Sequence, residues 1–239
     1  MLVSVNQPAY MPWLGYFERV LISDTHVVLD DVQFEKNSMI NRNNVLLNGS
    51  KVMLTIPLLT KGKFQNLPIR AVQIDCGQKW IRKHLATIQQ GYSKTPFFKD
   101  FFPYLEQFYD DINGAETLGL VLRKNLEFIV DYLEIETDII YSSDLEYEGR
   151  KSELVLDICQ KVGATEYISG PFGRDYLDMN SFFGENIGVS FHDYNHPTYS
   201  QKSTNFVPKL SVIDLIFNHG KNSRTIIQTL GANLKNSFD

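Results

Sequence analysis

The first 43 residues place the strongest constraint on the fold of this 239-residue chain. An apolar run at 2–5 is followed by a loop with two prolines, then by apolar residues at helical spacing from Leu14 to Leu21, and then by a second apolar run at 26–29. These periodicities predict strand, loop, amphipathic helix and strand in that order. Alternation of this kind is typical of an open α/β sheet, whose ligands gather at the carboxyl ends of the strands.

The rest of the chain adds a hairpin and a helical segment to this pattern. Residues 44–59 contain two β-type runs on either side of Asn48-Gly49, which is a strong hairpin signal and suggests a mixed sheet. Three consecutive helical patterns predict a helical insertion at about 78–135. Further strands are predicted at 69–74, 138–141, 166–169 and 189–192, and further helices at 152–162 and 211–219.

The predicted fold class is therefore α/β, with a mostly parallel Rossmann-like sheet, a β-hairpin insertion and a helical layer or subdomain. We expect residues 1–239 to form a single α/β domain that includes the helical insertion.

Composition narrows the classes of function. A hydrophobic content of 43% and an aromatic content of 13% are sufficient for a packed core. The net charge of −5, without a long basic run, weighs against nucleic-acid binding. Cys76 and Cys159 lie far apart in sequence, as expected for reduced thiols in the cytosol. Neither a signal peptide nor an apolar run of ~18 residues is found, so we expect a cytoplasmic protein without a membrane span.

The loop before the first predicted helix is the first candidate binding segment. Its prolines stiffen it, and the N–H groups of the following helical turn are suited to a phosphate. We expect Gln7, Tyr10, Trp13, Gly15 and Tyr16 to contact the substrate. The loop resembles the phosphate-binding His-x-Gly-His loop of nucleotidyltransferases, but Trp13 and Tyr16 occupy the places of the two histidines. The alternative is a rigid loop packed by aromatic side chains.

A polar cluster after the second predicted strand is the second candidate. Carboxylates at a strand end can hold a metal, a sugar hydroxyl or an ammonium group. Amides and guanidinium groups supply directional donors. We expect Asp31 to be catalytic. We also expect the two loops to form one binding site, in which the substrate-binding residues of this segment are Asp30, Gln33, Lys36, Asn41, Arg42 and Asn43. The alternative is a set of capped turns in a solvated loop.

Two later segments complete the predicted site. His196 is the preferred general base, because it lies deeper than His192 in the loop after a predicted strand. The extended backbone around these histidines argues against a zinc site, and we predict no metal. Tyr199 and Gln201 follow in the same loop. Ser169, Gly170 and Arg174 form a glycine-bearing loop with a phosphate-binding or carboxylate-binding arginine. No dinucleotide, P-loop or nucleophile-elbow motif occurs, and the sequence indicates no particular cofactor.

Taken together, these motifs resemble the WbqC-like protein family. One position differs, because the residue before Gln7-Pro8 is often His in that family and is Asn6 here. The matching blocks are Gln7-Pro8-x-Tyr10-x-Pro12-Trp13-x-Gly15-Tyr16-Phe17, Leu29-Asp30-Asp31-Val32-Gln33-Phe34, Asn41-Arg42-Asn43, Tyr167-Ile168-Ser169-Gly170 with Tyr176-Leu177, His196-Pro197-x-Tyr199-x-Gln201, and Phe206-Val207-Pro208-x-Leu210-Ser211-x-Ile213-Asp214 with Phe217-Asn218-x-Gly220.

The resemblance implies a protein that is encoded in a bacterial surface-polysaccharide (O-antigen) gene cluster and acts on nucleotide-linked or modified sugars. The leading hypothesis is a transferase that places an acyl or aminoacyl group on the amine of a nucleotide-linked amino sugar. Its expected partners are that small-molecule substrate and an acyl or aminoacyl donor. The phosphates would lie near Gly15 and Arg174 or Arg42, and His196 would remove a proton from the attacking nitrogen. The alternatives are a nucleotidyl or adenylyl transferase, and a non-catalytic scaffold subunit that uses the aromatic helix near 97–108.

Overall fold

Strands and helices alternate through most of the chain, which a computed structural model describes for residues 1–60, 62, 67–229 and 234–236. The strands are β1 (Leu2–Asn6), β2 (Thr25–Val28), β3 (Arg42–Leu47), β4 (Ser50–Thr55), β5 (Asp138–Tyr141), β6 (Glu166–Ser169), β7 (Gly188–His192) and β8 (Leu234–Asn236). The helices are α1 (Leu14–Ile22), α2 (Trp80–Tyr92), α3 (Phe98–Asp111), α4 (Leu118–Tyr132), α5 (Ser152–Lys161), α6 (Met179–Gly184), α7 (Val212–His219) and α8 (Ser223–Thr229).

The central sheet has the strand order β5-β2-β1-β6-β7-β8. Its first five strands are parallel, and β8 runs antiparallel to β7. The predicted α/β class with a mostly parallel sheet is therefore confirmed. Parallel sheets are covered on both faces, so their strands are continuously apolar. Val3, Val5 and Val27 accordingly pack with α5 and α6 on one face, while Phe17 and Val20 of α1 belong to the larger core on the other face.

The direction of winding reverses between β1 and β6. The chain passes from β1 through α1 to β2 on one side, and it later returns to the other side of β1 as β6 before it continues to β7. The connections leaving the carboxyl ends of β1 and β6 therefore diverge, which opens a crevice at that edge of the sheet.

The hairpin forms as predicted but does not join the central sheet. β3 and β4 pair as a separate two-stranded sheet, with Asn48 (φ 51°) and Gly49 (φ 76°) in the turn. Positive φ at both turn residues matches the twist of the two strands. The hairpin packs on α2, where a Cβ atom at Gly91 would lie 2.4 Å from the Leu46 carbonyl oxygen. The antiparallel strand of the central sheet is β8, which the sequence did not predict.

The prediction of a strand at 69–74 is wrong. Ile69–Ala71 forms a 3₁₀ turn, and Gln73 and Ile74 make only isolated bridges. The apolar alternation reflects real burial of Ile69, Val72 and Ile74. The backbone N–H groups of this segment bond to scattered loop carbonyls instead of to one neighbouring strand: Ile69 to Val32, Arg70 to Asp30 and Ile74 to Glu116.

The three predicted helices of the 78–135 segment are α2, α3 and α4. The aromatic side chains of α3 contribute to the core: Phe101, Phe102 and Phe108 are buried, and Phe101 packs edge-on against Phe217 of α7. The sequence did not predict α6 and α8, which are short. Within the described ranges, none of the helices is long and apolar enough to cross a membrane.

A buried carboxylate ties the loop after β7 to α7 and α2. Asp214 accepts hydrogen bonds from the hydroxyl groups of Tyr92 and Tyr199 and from the Gln201 side-chain amide, each at 2.9 Å. Burial raises the pKa of Asp214, and these hydrogen bonds oppose that rise. Tyr199 and Gln201, predicted to bind substrate, therefore serve as donors to this carboxylate.

We predict that Asp214→Asn lowers the free energy of unfolding by about 2–4 kcal/mol, because an amide nitrogen would face donors that need an acceptor. Urea denaturation followed by tryptophan fluorescence measures this change. Asp138→Asn, at an exposed position that begins β5, is the matched control and should change stability by less than about 0.5 kcal/mol. Equal losses in the two variants would contradict the prediction.

Candidate functional site

A cavity of about 770 Å³ lies at the carboxyl edge of the central sheet. Asn6, Ser169 and His192, the last residues of β1, β6 and β7, all line it. The remaining walls come from the β1–α1 loop, from α1, from the loop at 170–176 and from Asp193 and Tyr194. The cavity therefore occupies the crevice at which the winding reverses, and its size is in the usual range for small-molecule sites.

Arg19 brings an unpaired cation to this cavity. It lies on α1 and lines the cavity, and its Nε atom is buried without a hydrogen-bond partner. No carboxylate of the described residues forms an ion pair with it. Burial lowers the pKa of Arg19, and nearby tyrosines and Glu18 oppose that effect. An arginine without a carboxylate partner is suited to bind a phosphate or carboxylate of a ligand.

Gly170 makes room for the Arg19 guanidinium. A Cβ atom at position 170 would lie 2.7 Å from Nη1 of Arg19. The backbone at Gly170 has an ordinary extended conformation (φ −69°), so the requirement for glycine comes from close approach and not from backbone strain. The predicted substrate-binding role of Gly170 thus acquires a physical basis in the position of the arginine.

A buried acid–base pair lies beside this cation. Nε2 of His192 contacts Oε2 of Glu18, and the side chains are only 4% and 1% exposed. In the tautomer in which Nε2 donates to Glu18, Nδ1 is the ring nitrogen that can accept a proton. Nδ1 has no hydrogen bond to any described residue, and His192 lines the cavity. This is the arrangement of a general base held in one tautomer by a carboxylate.

Polar atoms without partners cluster around the cavity. In the described part of the chain nine buried side-chain nitrogen or oxygen atoms lack a hydrogen bond, and four of these are Asn6 Nδ2, Glu18 Oε1, Arg19 Nε and the Tyr194 hydroxyl. Asn6, Arg19 and Tyr194 line the cavity, and Glu18 contacts His192. Buried polar atoms without partners are few in native proteins, and four of them lie in or beside the walls of this cavity.

Aromatic side chains supply the apolar surface of the cavity. Trp13, Tyr16, Tyr176 and Tyr194 all line it, and Phe172 at its mouth is 79% exposed. The ring of Tyr194 lies against Gly15, where a Cβ atom would be 2.7 Å from its Cδ1 atom. Rings of this kind bind the flat faces of sugars and bases.

Six of the predicted substrate-binding residues meet in this cavity, and a seventh lies beside it. Arg174 forms an ion pair with Asp193 at 3.2 Å and lies over the ring of Phe191 at 4.4 Å. Because Asp193 lines the cavity, Arg174 is at its rim, already paired. The six that line the cavity are Gln7, Trp13, Gly15, Tyr16, Ser169 and Gly170.

The structure does not bring Asp30 and Asp31 into this cavity. They follow β2 and accept hydrogen bonds from the loop after β5: Ser143 Oγ donates to Asp30 at 2.8 Å, and the Tyr147 hydroxyl donates to Asp31 at 2.8 Å. Ser142 donates to both carboxylates. The catalytic role expected for Asp31 stays a prediction, and its observed contacts join two loops.

The other polar residues of this segment bind neighbouring loops. Asn41 donates to the Ile56 carbonyl at 2.8 Å, Asn43 donates to the Met11 carbonyl at 2.6 Å, and Arg42 donates to Asn37 at 3.2 Å. Gln33 accepts from the Leu67 backbone at 3.0 Å, and Lys36 lies exposed in the loop. None of these residues lines the cavity. From residues 29–43, Leu29 and Glu35 line it.

Tyr10 and His196 also lie outside the cavity. Tyr10 is buried and hydrogen-bonds to His84 at 3.0 Å. His196 uses both ring nitrogens: Nδ1 lies 2.9 Å from the Pro197 carbonyl, and Nε2 accepts from the Lys209 backbone at 3.1 Å. The role of His196 as general base stays a prediction, but neither nitrogen is free of a protein partner.

Sequence reasoning missed Glu18, Arg19 and His192. Glu18 and Arg19 belong to no predicted site, and His196 was preferred to His192 as the base. One signal was present: Glu18 lies four residues after Leu14 and three before Leu21, on the apolar stripe of the predicted helix. A charged residue on such a stripe is buried when the helix packs, so it needs a partner.

The fold and this cavity define a doubly wound α/β protein with a candidate anion-binding and acid–base site at the reversal of its sheet. The WbqC-like protein family model matches residues 7–226, and the chain belongs to this family. It is 34% identical over 219 residues to the uncharacterized protein Rv1507c of Mycobacterium tuberculosis. The match covers 91% of this chain and 94% of that protein. No solved structure matches the chain.

We predict that Arg19→Gln weakens the binding of inorganic pyrophosphate at least about tenfold, because charge-assisted hydrogen bonds to the anion are lost. Isothermal titration calorimetry at low salt measures the affinity. Arg123→Gln is the matched control, since Arg123 pairs with Asp144 and does not line the cavity. Equal binding by the wild type and Arg19→Gln would show that the cation does not bind anions.

A second prediction concerns His26, which lies below the cavity between Ser4 (2.7 Å) and Tyr16 (3.3 Å). Burial, and secondarily the charge of Arg19, lowers the pKa of His26 from 6.5 to about 3. The unfolded chain therefore binds a proton at a higher pH than the folded one, so stability is complete above pH 6.5 and falls as the pH drops toward 3.

We expect His26 to account for a loss of roughly 3 kcal/mol between pH 6.5 and pH 4. Denaturant unfolding at several pH values measures this loss, and His26→Gln should show a correspondingly flatter profile. Parallel profiles for the two proteins would contradict the assignment.

Proposed function

We propose that this protein is a transferase of bacterial surface-polysaccharide biosynthesis that moves an acyl or aminoacyl group to the amine of a nucleotide-linked amino sugar. The observation that carries the proposal is the presence of the unpaired Arg19 and the His192–Glu18 pair in one cavity. A cation for phosphate and a base for an amine are the two groups that such a reaction needs from the protein.

In this proposal the phosphates of the nucleotide bind at Arg19. The helix α1, on which Arg19 lies, begins at Leu14 without a side-chain cap on its first N–H groups. The helix dipole favours an anion at this end, and Arg19, in the last turn of α1, lines the same cavity as Gly15 in the first turn. Arg19 takes the role that the sequence had suggested for Arg174 or Arg42, both of which have other partners. Trp13 and Tyr176 offer faces to the sugar or the base.

His192 then acts as the general base. The sugar amine attacks the acyl carbon, a C–N bond forms, and the bond from that carbon to the leaving group breaks. The proton of the attacking nitrogen passes to Nδ1 of His192 and from there to the leaving group. Glu18 holds the ring in the required tautomer and stabilises the imidazolium that forms, as a carboxylate does in other base–carboxylate pairs.

Nucleotidyl or adenylyl transfer is the second candidate. In this reaction the phosphates would bind in the same cavity, which Arg19 and residues of the β1–α1 loop line together. Trp13 and Tyr16 provide no cationic group to stabilise the charge on a transferred phosphoryl group. Release of pyrophosphate from a nucleoside triphosphate would distinguish this reaction from acyl transfer.

The scaffold reading loses its candidate surface. It depended on the aromatic residues of α3, but Phe101, Phe102, Phe108 and Tyr109 are buried in the core. Tyr104 is the large aromatic residue of that helix that stays exposed, at 61%. A single exposed tyrosine does not make a docking surface.

Thermal-shift measurements with nucleotide-linked sugars test the substrate class. We expect amino sugars linked to a nucleoside diphosphate to raise the melting temperature, and Arg19→Gln to abolish most of the rise, because the ligand stabilises the folded state in proportion to its affinity. Arg123→Gln should behave as the wild type. Stabilisation by nucleoside triphosphates with pyrophosphate release, and none by amino sugars, would favour the second candidate.

Substitution of the base tests the mechanism. We predict that His192→Gln lowers the rate of acyl transfer by roughly 10²–10⁴ and leaves the affinity for the nucleotide sugar within a few-fold of the wild-type value. Glu18→Gln should lower the rate through the tautomer, and its free energy of unfolding is measured in parallel because the pair is buried. A greater loss with His196→Gln than with His192→Gln would assign the base to His196.

A further inference from the structure

A second cavity of about 340 Å³ adjoins the first. Trp13 and Tyr194 line both cavities, which therefore meet at these two rings. The ring centroid of Tyr194 lies 5.9 Å from that of His192 and 5.9 Å from that of His196. A group held at these rings in the second cavity is thus close to the proposed base.

The polar groups of its wall are largely used within the protein. Asn43 donates to the Met11 carbonyl and accepts from the Asn44 backbone at 2.8 Å, and both nitrogens of His196 have partners. What remains for a ligand is the aromatic faces and the thioether of Met39. The interior therefore suits an apolar group with few hydrogen-bonding atoms.

Lys209 gives the rim of this cavity a positive charge. It lines the cavity, and its side chain has no ion pair or hydrogen bond with a described residue. Lys209 has a left-handed backbone (φ 58°), and its N–H group is held by His196.

We propose that the second cavity binds the donor of the reaction, as a neutral acyl group joined to a phosphate-bearing carrier. The acyl chain lies among Met39, Trp13 and Tyr194, and the carrier phosphate lies at Lys209. A neutral acyl group fits better than an aminoacyl group, because an ammonium would meet an apolar wall and the cation of Lys209. This inference rests on the proposed transfer reaction and assigns its donor.

The step balances without an oxidant or a reductant. The acyl carbon at the Trp13–Tyr194 wall forms a bond to the sugar nitrogen, and its bond to the sulfur of a thioester or to the oxygen of an acyl phosphate ester breaks. The electron pair of that bond leaves with the carrier. The proton from the amine reaches the carrier through His192.

Calorimetric titration of the full chain with butyryl-coenzyme A and with a hydrolysis-resistant butyryl adenylate analogue distinguishes the two carriers. Met39→Trp fills the cavity, and Lys209→Asn removes the charge with a residue that tolerates the left-handed backbone. We expect each variant to weaken binding of the preferred donor at least about tenfold. The nucleotide sugar should bind within twofold of its wild-type affinity. Lys124→Gln, at a helix surface ion pair, is the charge-matched control.

Three results would overturn the inference: neither donor binds the wild type, donor binding is unchanged in both variants, or donor and nucleotide sugar compete for one site. A ternary complex with additive binding supports it. If the protein binds a donor but no nucleotide sugar, the assignment of the second cavity stands and the proposed function is refuted. If it binds a nucleotide sugar but neither donor, the assignment of the second cavity is refuted and the proposed function stands.

Discussion

The pairing of β1 with β2 on one side and with β6 on the other is the constraint on which this structure depends. Because all three strands are parallel, each connection must cross a face of the sheet, and the connections that leave the carboxyl ends of β1 and β6 run in opposite directions. The divergence opens the cavity and brings Asn6, Ser169 and His192 to its floor. Asn6 and His192, 186 positions apart in the chain, therefore share one cavity because of a topological requirement.

Burial of charged side chains at the floor of the cavity costs desolvation free energy, which a partner or a bound ligand must offset. Glu18 and His192 are almost fully buried, and their mutual contact offsets only part of the cost of removing them from water. Arg19 forms no ion pair with a carboxylate of the described residues, although the charge of Glu18 acts on it. Such an arrangement contributes little to stability, whereas a bound anion would give the guanidinium an acceptor. The proposed binding of phosphate at Arg19 rests on this imbalance.

The polar residues of the 30–43 loop were predicted to bind a ligand, but they bind neighbouring loops. Asp30, Asn41 and Asn43 make specific hydrogen bonds to loop backbone and to side chains of the β5 exit loop. Irregular buried backbone needs partners, and short polar side chains supply them. A structural polar cluster and a binding cluster have the same composition, so residue types in a loop do not separate the two.

Local periodicity determined the strands of the parallel sheet, the hairpin turn at Asn48-Gly49 and the helices α2 to α4, because each depends on neighbours in sequence. The rule that sites lie at strand ends also predicted that Gln7, Trp13, Gly15 and Gly170 share one location, and all four line the cavity. Only the tertiary structure decided which strand ends face each other, and hence that Arg19, Glu18 and His192 meet. Their pairing depends on the strand order β2-β1-β6-β7, which the spacing of apolar residues along one chain does not encode.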